Sequence, residues 1–243
     1  MKKLIFYPIS IVYYLVFGFW LCLFHPIQWI CLKIGYQAHK KSVDILNFFL
    51  VRTTHLLGTT YQMNGLDKIP SQGPIIFVAN HQSMYDIPPM IWFFRKAHPK
   101  FISKKELGKG IPSVSFNLKY GGSVLIDRKD GKQAIAQIEK IALYIQDTKR
   151  AVVIFPEGTR SRNGSPKKFQ ENGLKTLFKY APDAWIVPVS IQNSWKLVQF
   201  GSFPMGLVNR LVFEVHNAYP VNSDSIENLI AKTEQIITQK LIS

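Results

Sequence analysis

Between Leu4 and Leu32 the chain carries no Lys, Arg, Asp or Glu. The first part of that run, Leu4 to Phe24, reads LIFYPISIVYYLVFGFWLCLF. As a helix it is on the order of 30 Å long at about 1.5 Å rise per residue, which matches the hydrocarbon core of a bilayer. Lys2 and Lys3 precede it, and Tyr7, Tyr13, Tyr14, Trp20 and Trp29 supply rings that favour a membrane interface. A secretory signal peptide fits poorly, because the apolar run is too long and no small-x-small cleavage site follows. His25-Pro26 is expected to end the helix, since proline removes a backbone donor and clashes with the preceding turn.

A second element is expected from Ile27 to Gly58. It is amphipathic, with Lys33, Lys40, Lys41 and Arg52 along it, and Ile45, Phe48, Phe49, Arg52 and Leu56 step in threes and fours. Positive charge flanks the apolar run on both sides, so charge asymmetry gives no clean crossing. The expectation is therefore a membrane-associated helical hairpin over residues 1–58, dipping into one leaflet, in preference to a single span or a buried core hairpin.

Lys and Arg number 30 against 15 Asp and Glu, a formal charge of +15. Nucleic acid, an anionic membrane surface and phosphorylated substrates all fit such a balance. The apolar N-terminus favours the membrane. Nucleic acid is not expected, because the chain has no zinc-finger spacing, no RNP-like aromatic motif and no basic heptad helix. Cys22 and Cys31 both fall in the apolar segment, fit no metal pattern, and read as small apolar side chains in a reducing compartment.

From about Thr59 short apolar runs alternate with helical patterns. Pro74–Ala79, Ser123–Ile126, Ala151–Phe155, Trp185–Ile191 and Leu211–Val215 read as strands. Gly131–Asp147, Glu171–Tyr180 and Ser225–Leu241 read as helices, the last with Asp224 as its N-cap. The succession Ser123–Ile126, helix, Ala151–Phe155 is a βαβ unit, so those two strands should be parallel neighbours. The class is α/β: a mixed, largely parallel sheet flanked by helices over residues 59–243. Active sites in such sheets gather beyond the carboxyl ends of strands.

Three of those ends carry polar clusters. Asn80-His81-Gln82-Ser83-Met84-Tyr85-Asp86 follows the first strand. An Asp five residues after a His can hold the imidazole tautomer and stabilise the imidazolium, making a base and its orienter. Alone, the spacing is a weak signal. Asp127-Arg128-Lys129 follows the second strand, and Pro156-Glu157-Gly158-Thr159-Arg160-Ser161-Arg162 the third. An Arg fork suits phosphate, although each cluster taken singly also reads as a solvated loop. There is no G-x-S-x-G elbow, no Walker A, no G-x-G-x-x-G and no metal-ligand spacing.

Taken in order, the blocks resemble the PlsC-type 1-acyl-glycerol-3-phosphate acyltransferases from about residue 60 to 195. Asn80-His81 through Asp86 is similar to that family's first motif. Ser103-Lys104-Lys105-Glu106-Leu107, with Gly122 and Ile126-Asp127-Arg128, is similar to the second. Phe155-Pro156-Glu157-Gly158-Thr159-Arg160-Ser161 matches the third, and Ile186-Val187-Pro188-Val189 the fourth. The second motif departs from the family pattern: Pro112-Ser113-Val114-Ser115 stands where Pro-x-x-Gly is usual, and either Lys104 or Lys105 fits the phosphate lysine.

The resemblance implies a membrane enzyme, in a bacterial inner membrane with its site at the cytoplasmic face. His81, oriented by Asp86, would deprotonate the acceptor hydroxyl, which attacks an acyl-CoA or acyl carrier protein thioester without a covalent acyl-enzyme. Lys104, Arg128 and Arg160 would cradle the phosphate of lysophosphatidic acid. Glu157, with Gly158 and Thr159, would hold the glycerol end. No metal and no cofactor are implied. Glycerol-3-phosphate or another lysolipid is the alternative acceptor, and a non-catalytic membrane-surface binding protein is the alternative class.

Overall fold

The computed structural model describes residues 4–242, so Lys2 and Lys3 lie outside the described residues. Two helices, α1 (Phe6–Ile34) and α2 (Tyr36–Thr53), open the chain and pack against each other. The expected break at His25-Pro26 does not occur: α1 runs through Pro26 for 29 residues. The chain brings outside partners to the turn around that proline. Ser113 donates through Oγ to the Leu21 carbonyl at 2.6 Å and through its backbone N–H to His25 Nδ1 at 3.0 Å. Such partners let a helix tolerate an internal proline. Gly35 ends α1 instead, at φ 148°, a backbone conformation that side chains with a Cβ rarely adopt.

The body is a single eight-stranded sheet. In chain order the strands are β1 (Thr60–Asn64), β2 (Ile75–Ala79), β3 (Pro99–Lys104), β4 (Val124–Ile126), β5 (Ala151–Ile154), β6 (Trp185–Gln192), β7 (Arg210–Val215) and β8 (Tyr219–Pro220). Their spatial order is β1-β7-β6-β2-β5-β3-β4, with β8 also on β6. All pairs are parallel except β6 with β7 and β6 with β8. This is the mixed, largely parallel sheet expected. The helices of the body are α3 (Ile87–Phe93), α4 (Val114–Tyr120), α5 (Gly131–Thr148), α6 (Glu171–Tyr180) and α7 (Ile226–Ile242).

One expectation fails in detail. β4 and β5 are joined by α5 and run parallel, but they are not neighbours, because β3 lies between them. Its sequence, Pro-Lys-Phe-Ile-Ser-Lys, starts with a proline and carries a charge at each end of a two-residue apolar core, so it lacks the run that marks a buried strand. The cap of α7 also differs. Ser225 Oγ accepts from Asn228 N at 3.3 Å, while Asp224 accepts from Ser225 N and from the Asn228 side chain.

Strand alternation splits the sheet's side chains between two cores. Ile75, Phe77 and Ala79 of β2, with Ala151 and Val153 of β5, enter one; Ile76, Val78, Val152 and Ile154 enter the other. Helices α5, α6 and α7 cover the second core through residues such as Ile141, Leu177 and Ile237. Tyr13 of α1, Val43 of α2 and Met90 of α3 cover the first. The N-terminal helices are thus one wall of the sheet's own core.

The outer face of α1 is apolar and exposed, whereas α2 exposes Gln37, Lys41 and Arg52 beside Ile45. Leu15, Phe19, Trp29, Ile30 and Ile34 of α1 are exposed, and α1 is long and apolar enough to cross a membrane. On α2 the buried face is Val43, Leu46, Asn47, Leu50 and Val51. The stripe picked out by its spacing points elsewhere: Ile45, Arg52 and Leu56 are exposed, and Phe48 and Phe49 are half-buried.

Candidate functional site

β2, β5, β3 and β4 are mutually parallel, so their carboxyl ends open at one edge of the sheet. His81, Phe155 to Arg160, Lys104 and Arg128 all follow those ends. The long apolar strands fix the edge, and the polar loops that follow them cannot remain inside.

The local geometry of His81 and Asp86 follows from turn chemistry. Ser83 caps a short 3-10 turn, Met84–Asp86. Its Oγ accepts from Tyr85 N at 3.1 Å, and its own N–H donates to Asp86 Oδ2 at 3.0 Å, a capping box. The box swings Asp86 back toward the strand end, where Oδ2 also accepts from Gln82 N at 2.8 Å and stands 2.8 Å from His81 Nδ1. Ser194, in the 3-10 turn after β6, donates through Oγ to the other oxygen, Oδ1. Asp86 is fully buried, so these four donors offset the cost of burying a carboxylate. A carboxylate acceptor assigns the proton to Nδ1 of His81 and leaves Nε2 with a free lone pair. The imidazole side chain is 15% exposed, enough to meet a substrate. Phe155 stacks on it at a centroid distance of 4.2 Å and an interplanar angle of 21°.

Neither Ser194 nor Gln82 is marked by any spacing signal. Gln82 accepts from Ser194 N at 3.1 Å, and Asn80 pairs with Ile191 through both of its amide atoms at 2.8 and 2.7 Å. These contacts tie the His81 loop to the end of β6, more than a hundred residues away, and the backbone bond from Ser161 N to His81 O at 2.7 Å ties it to the third cluster.

Within that third cluster Glu157 is 4% exposed, and neither carboxyl oxygen has a well-aligned hydrogen-bond partner among the described residues. Burial pushes its pKa up to about 7, against the opposing pull of the Lys167 and His81 backbone amides and the Lys167 ammonium. Gly158 completes the turn at φ 69°, its N–H donating to the Phe155 carbonyl at 3.1 Å. Thr159 and Arg160 are exposed, and Lys167 Nζ holds the segment by donating to Thr159 Oγ1 at 2.9 Å and the Arg160 carbonyl at 3.0 Å.

Although β4 is not adjacent to β5, Arg128 lies within electrostatic reach of Arg160. Partial burial lowers the Arg128 guanidinium from its ordinary pKa, the carboxylate of Glu106 opposes this, and the charge of Arg160 adds to it. Lys104 is exposed at the end of β3. Lys105 beside it faces Asp127, with a nitrogen-oxygen distance of 3.9 Å. The edge therefore holds a base-and-orienter pair, a buried carboxyl and several cations, a combination suited to proton abstraction next to a bound anion.

The raised Glu157 pKa has a measurable consequence. Its unfolded value is the usual 4.5 and its folded value about 7. The folded state therefore binds the extra proton, and stability is lost as pH rises from the first value through the second. That loss is on the order of 3 kcal/mol. Glu157→Gln does not titrate there, so the unfolding midpoint of the variant should overtake that of the natural protein across this window. A difference independent of pH would show that the carboxyl is solvated.

The Acyltransferase family model matches residues 60–192. Over 154 residues the chain is 29% identical to the 1-acyl-sn-glycerol-3-phosphate acyltransferase of Borreliella burgdorferi, an alignment covering 61% of this chain and 60% of that protein. Over 139 residues it is 37% identical to the Helicobacter pylori protein of the same description, covering 53% and 56%. The chain thus spans less than two thirds of these two relatives. Against the Escherichia coli protein the identity is 25% over 228 residues, covering 93% of this chain and 86% of that one. The crystal structure of the 1-acyl-sn-glycerophosphate (LPA) acyltransferase PlsC from Thermotoga maritima superposes with a TM-score of 0.83 at 22% identity, covering 100% of this chain and 97% of that one.

Proposed function

Because the chain belongs to the acyltransferase family, we propose that it transfers a fatty acyl group from a thioester, acyl-CoA or acyl carrier protein, to the free hydroxyl of 1-acyl-glycerol-3-phosphate, giving phosphatidic acid. The observation that carries this reading is the His81–Asp86 pair, 2.8 Å apart, at the same sheet edge as Arg128 and Arg160. His81 Nε2 takes the proton of the acceptor hydroxyl as its oxygen attacks the thioester carbonyl. The carbon–sulfur bond breaks, and the departing thiolate collects the proton from the imidazolium. Asp86 stabilises that imidazolium between the two transfers. Arg160, Arg128 and Lys104 hold the acceptor phosphate, and Glu157, with Gly158 and Thr159, holds its glycerol end.

The reading is tested with purified protein, a panel of acceptors with and without phosphate, and both donors. It expects acyl transfer to the lysophosphatidic acid acceptor in preference to lysolipids without a phosphomonoester. No transfer to any acceptor from either donor would overturn it.

The same proposal dips the N-terminal helical hairpin into one leaflet of a membrane through the exposed apolar face of α1, with the basic site edge toward an anionic cytoplasmic surface. The protein should stay in the membrane fraction through a high-salt wash and need detergent for release, because apolar burial is insensitive to screening. Release by salt alone would mean that the cations hold it and the exposed apolar face does not enter lipid.

A further inference from the structure

A second group of polar side chains lies at the opposite edge of the sheet, where the amino ends of β3 and β5 meet the start of α2. Lys100, the second residue of β3, is 6% exposed. Its ammonium stands 5.1 Å from the ring centroid of Tyr36. Arg150, just before β5, places its guanidinium 4.4 Å from the same centroid and donates to the Tyr144 hydroxyl. Two cations thus share one aromatic ring.

The neighbouring acid is already engaged. Asp44 of α2 lies 2.5 Å from Lys40 Nζ, and Lys40 donates a further bond to the Arg95 carbonyl. Three cations, Lys40, Arg95 and Lys100, therefore act on one carboxylate, and Arg150 adds a fourth positive charge beside Lys100. His39, 1% exposed, has no hydrogen-bond partner at Nε2 among the described residues. Lys100, His39, Tyr36, Lys40, Asp44 and His98 line a small, partly open cavity of about 20 Å³. That volume suits one particle of about the size of a water molecule and is too small for phosphate or sulfate.

We propose that this cavity binds one small monovalent anion of the halide class, held by the Lys100 ammonium and by His39 donating from Nε2. A buried cation next to a second cation is costly unless a counter-charge accompanies it. Without an added anion, burial together with Arg150 and Lys40 lowers Lys100 to about 7, against the opposing pull of the Asp44 carboxylate. His98 cannot supply a further charge: burial and the cations of Lys100, Arg150 and Lys40 hold it down to about 3. Instead its Nε2 lies 3.0 Å from the Tyr36 hydroxyl. The anion joins α2 to the amino edge of the sheet, and so fixes the wall that the N-terminal helices make over the first core. It acts on stability, at the far end of the strands from His81.

The experiment uses the full chain in detergent, with chloride, bromide or gluconate at constant ionic strength. Chloride and bromide should raise the unfolding midpoint by a few degrees over gluconate, as a ligand of the folded state does. The rise should be largest near pH 6 and shrink by about pH 9, because the anion binds the protonated Lys100. Lys100→Met should lose the response to halide. Crystals grown in bromide should show anomalous density within hydrogen-bond reach of Lys100 Nζ and His39 Nε2, a readout that stands even if the variant does not fold. Equal midpoints in all three salts, together with no bromide in the cavity, would overturn the proposal and leave a water beside a neutral lysine.

Discussion

His81→Ala is expected to lower turnover by a factor on the order of a hundred or more, the usual effect of losing a positioned base, while acceptor affinity stays nearly unchanged. The geometry separates the two parameters. The imidazole is held from below by Asp86 and from the side by Phe155, and its free nitrogen faces the solvent edge. The cations proposed to bind the acceptor sit on other loops. Removing the ring deletes the proton acceptor without touching those loops, because the backbone at residue 81 is fixed by its own bond to Ser161. Asp86→Asn should also cut activity, since an amide nitrogen facing Nδ1 favours the wrong tautomer. Because Asp86 acts through His81, the double variant should be little worse than His81→Ala alone. Steady-state kinetics with saturating donor give both results. Near-normal turnover in His81→Ala would remove the base from the mechanism, and additive losses would show that the two residues act separately.

The sequence exposed this pair because both residues fall in the one polar segment that directly follows the strand Pro74–Ala79, at the spacing of a base and its orienter. Ser83 and Asp86 stand at the spacing of a capping box, and a capping box directly after a buried strand returns its acid to the strand end. The buried strands were equally legible, because β2, β5 and β6 are continuous apolar runs that only a two-sided sheet can bury. Other features depend on contacts between distant residues. Ser194 reaches Asp86 across 108 residues, and nothing in its own neighbourhood marks it. β3 conceals itself because Lys100 breaks its apolar run, and that lysine is buried only where β5 and α2 close over it. Pro26 reads as a helix breaker until Ser113, which lies 88 residues from His25, supplies partners to the turn before it. The apolar stretch around Tyr13 reads as lipid-facing on all sides, yet one of its faces is core, because side-chain periodicity cannot say which apolar surface meets protein and which meets lipid.

Arg160→Ala should raise the acceptor KM by roughly tenfold to a hundredfold, the equivalent of losing about 1.5 to 3 kcal/mol of charge-assisted hydrogen bonding. Arg128→Ala should do the same, and the donor KM should hardly change in either variant. The two arginines reach this edge from different strands, β5 and β4, with β3 between them. Even so, the charge of Arg160 acts on the Arg128 guanidinium. Two like charges brought this close repel each other in the absence of a ligand, and an anion between them relieves the repulsion. A phosphomonoester carries up to two negative charges and offers oxygens for both forks. Each contact to it is therefore worth more with the other present, so the double variant should lose less than the product of the two single losses. Acceptors without phosphate leave both arginines without a counter-charge; they should be poor substrates for the natural protein and little further impaired by either substitution. Equal losses for phosphorylated and unphosphorylated acceptors, or a loss confined to the donor KM, would assign these side chains to the fold or to the thioester donor.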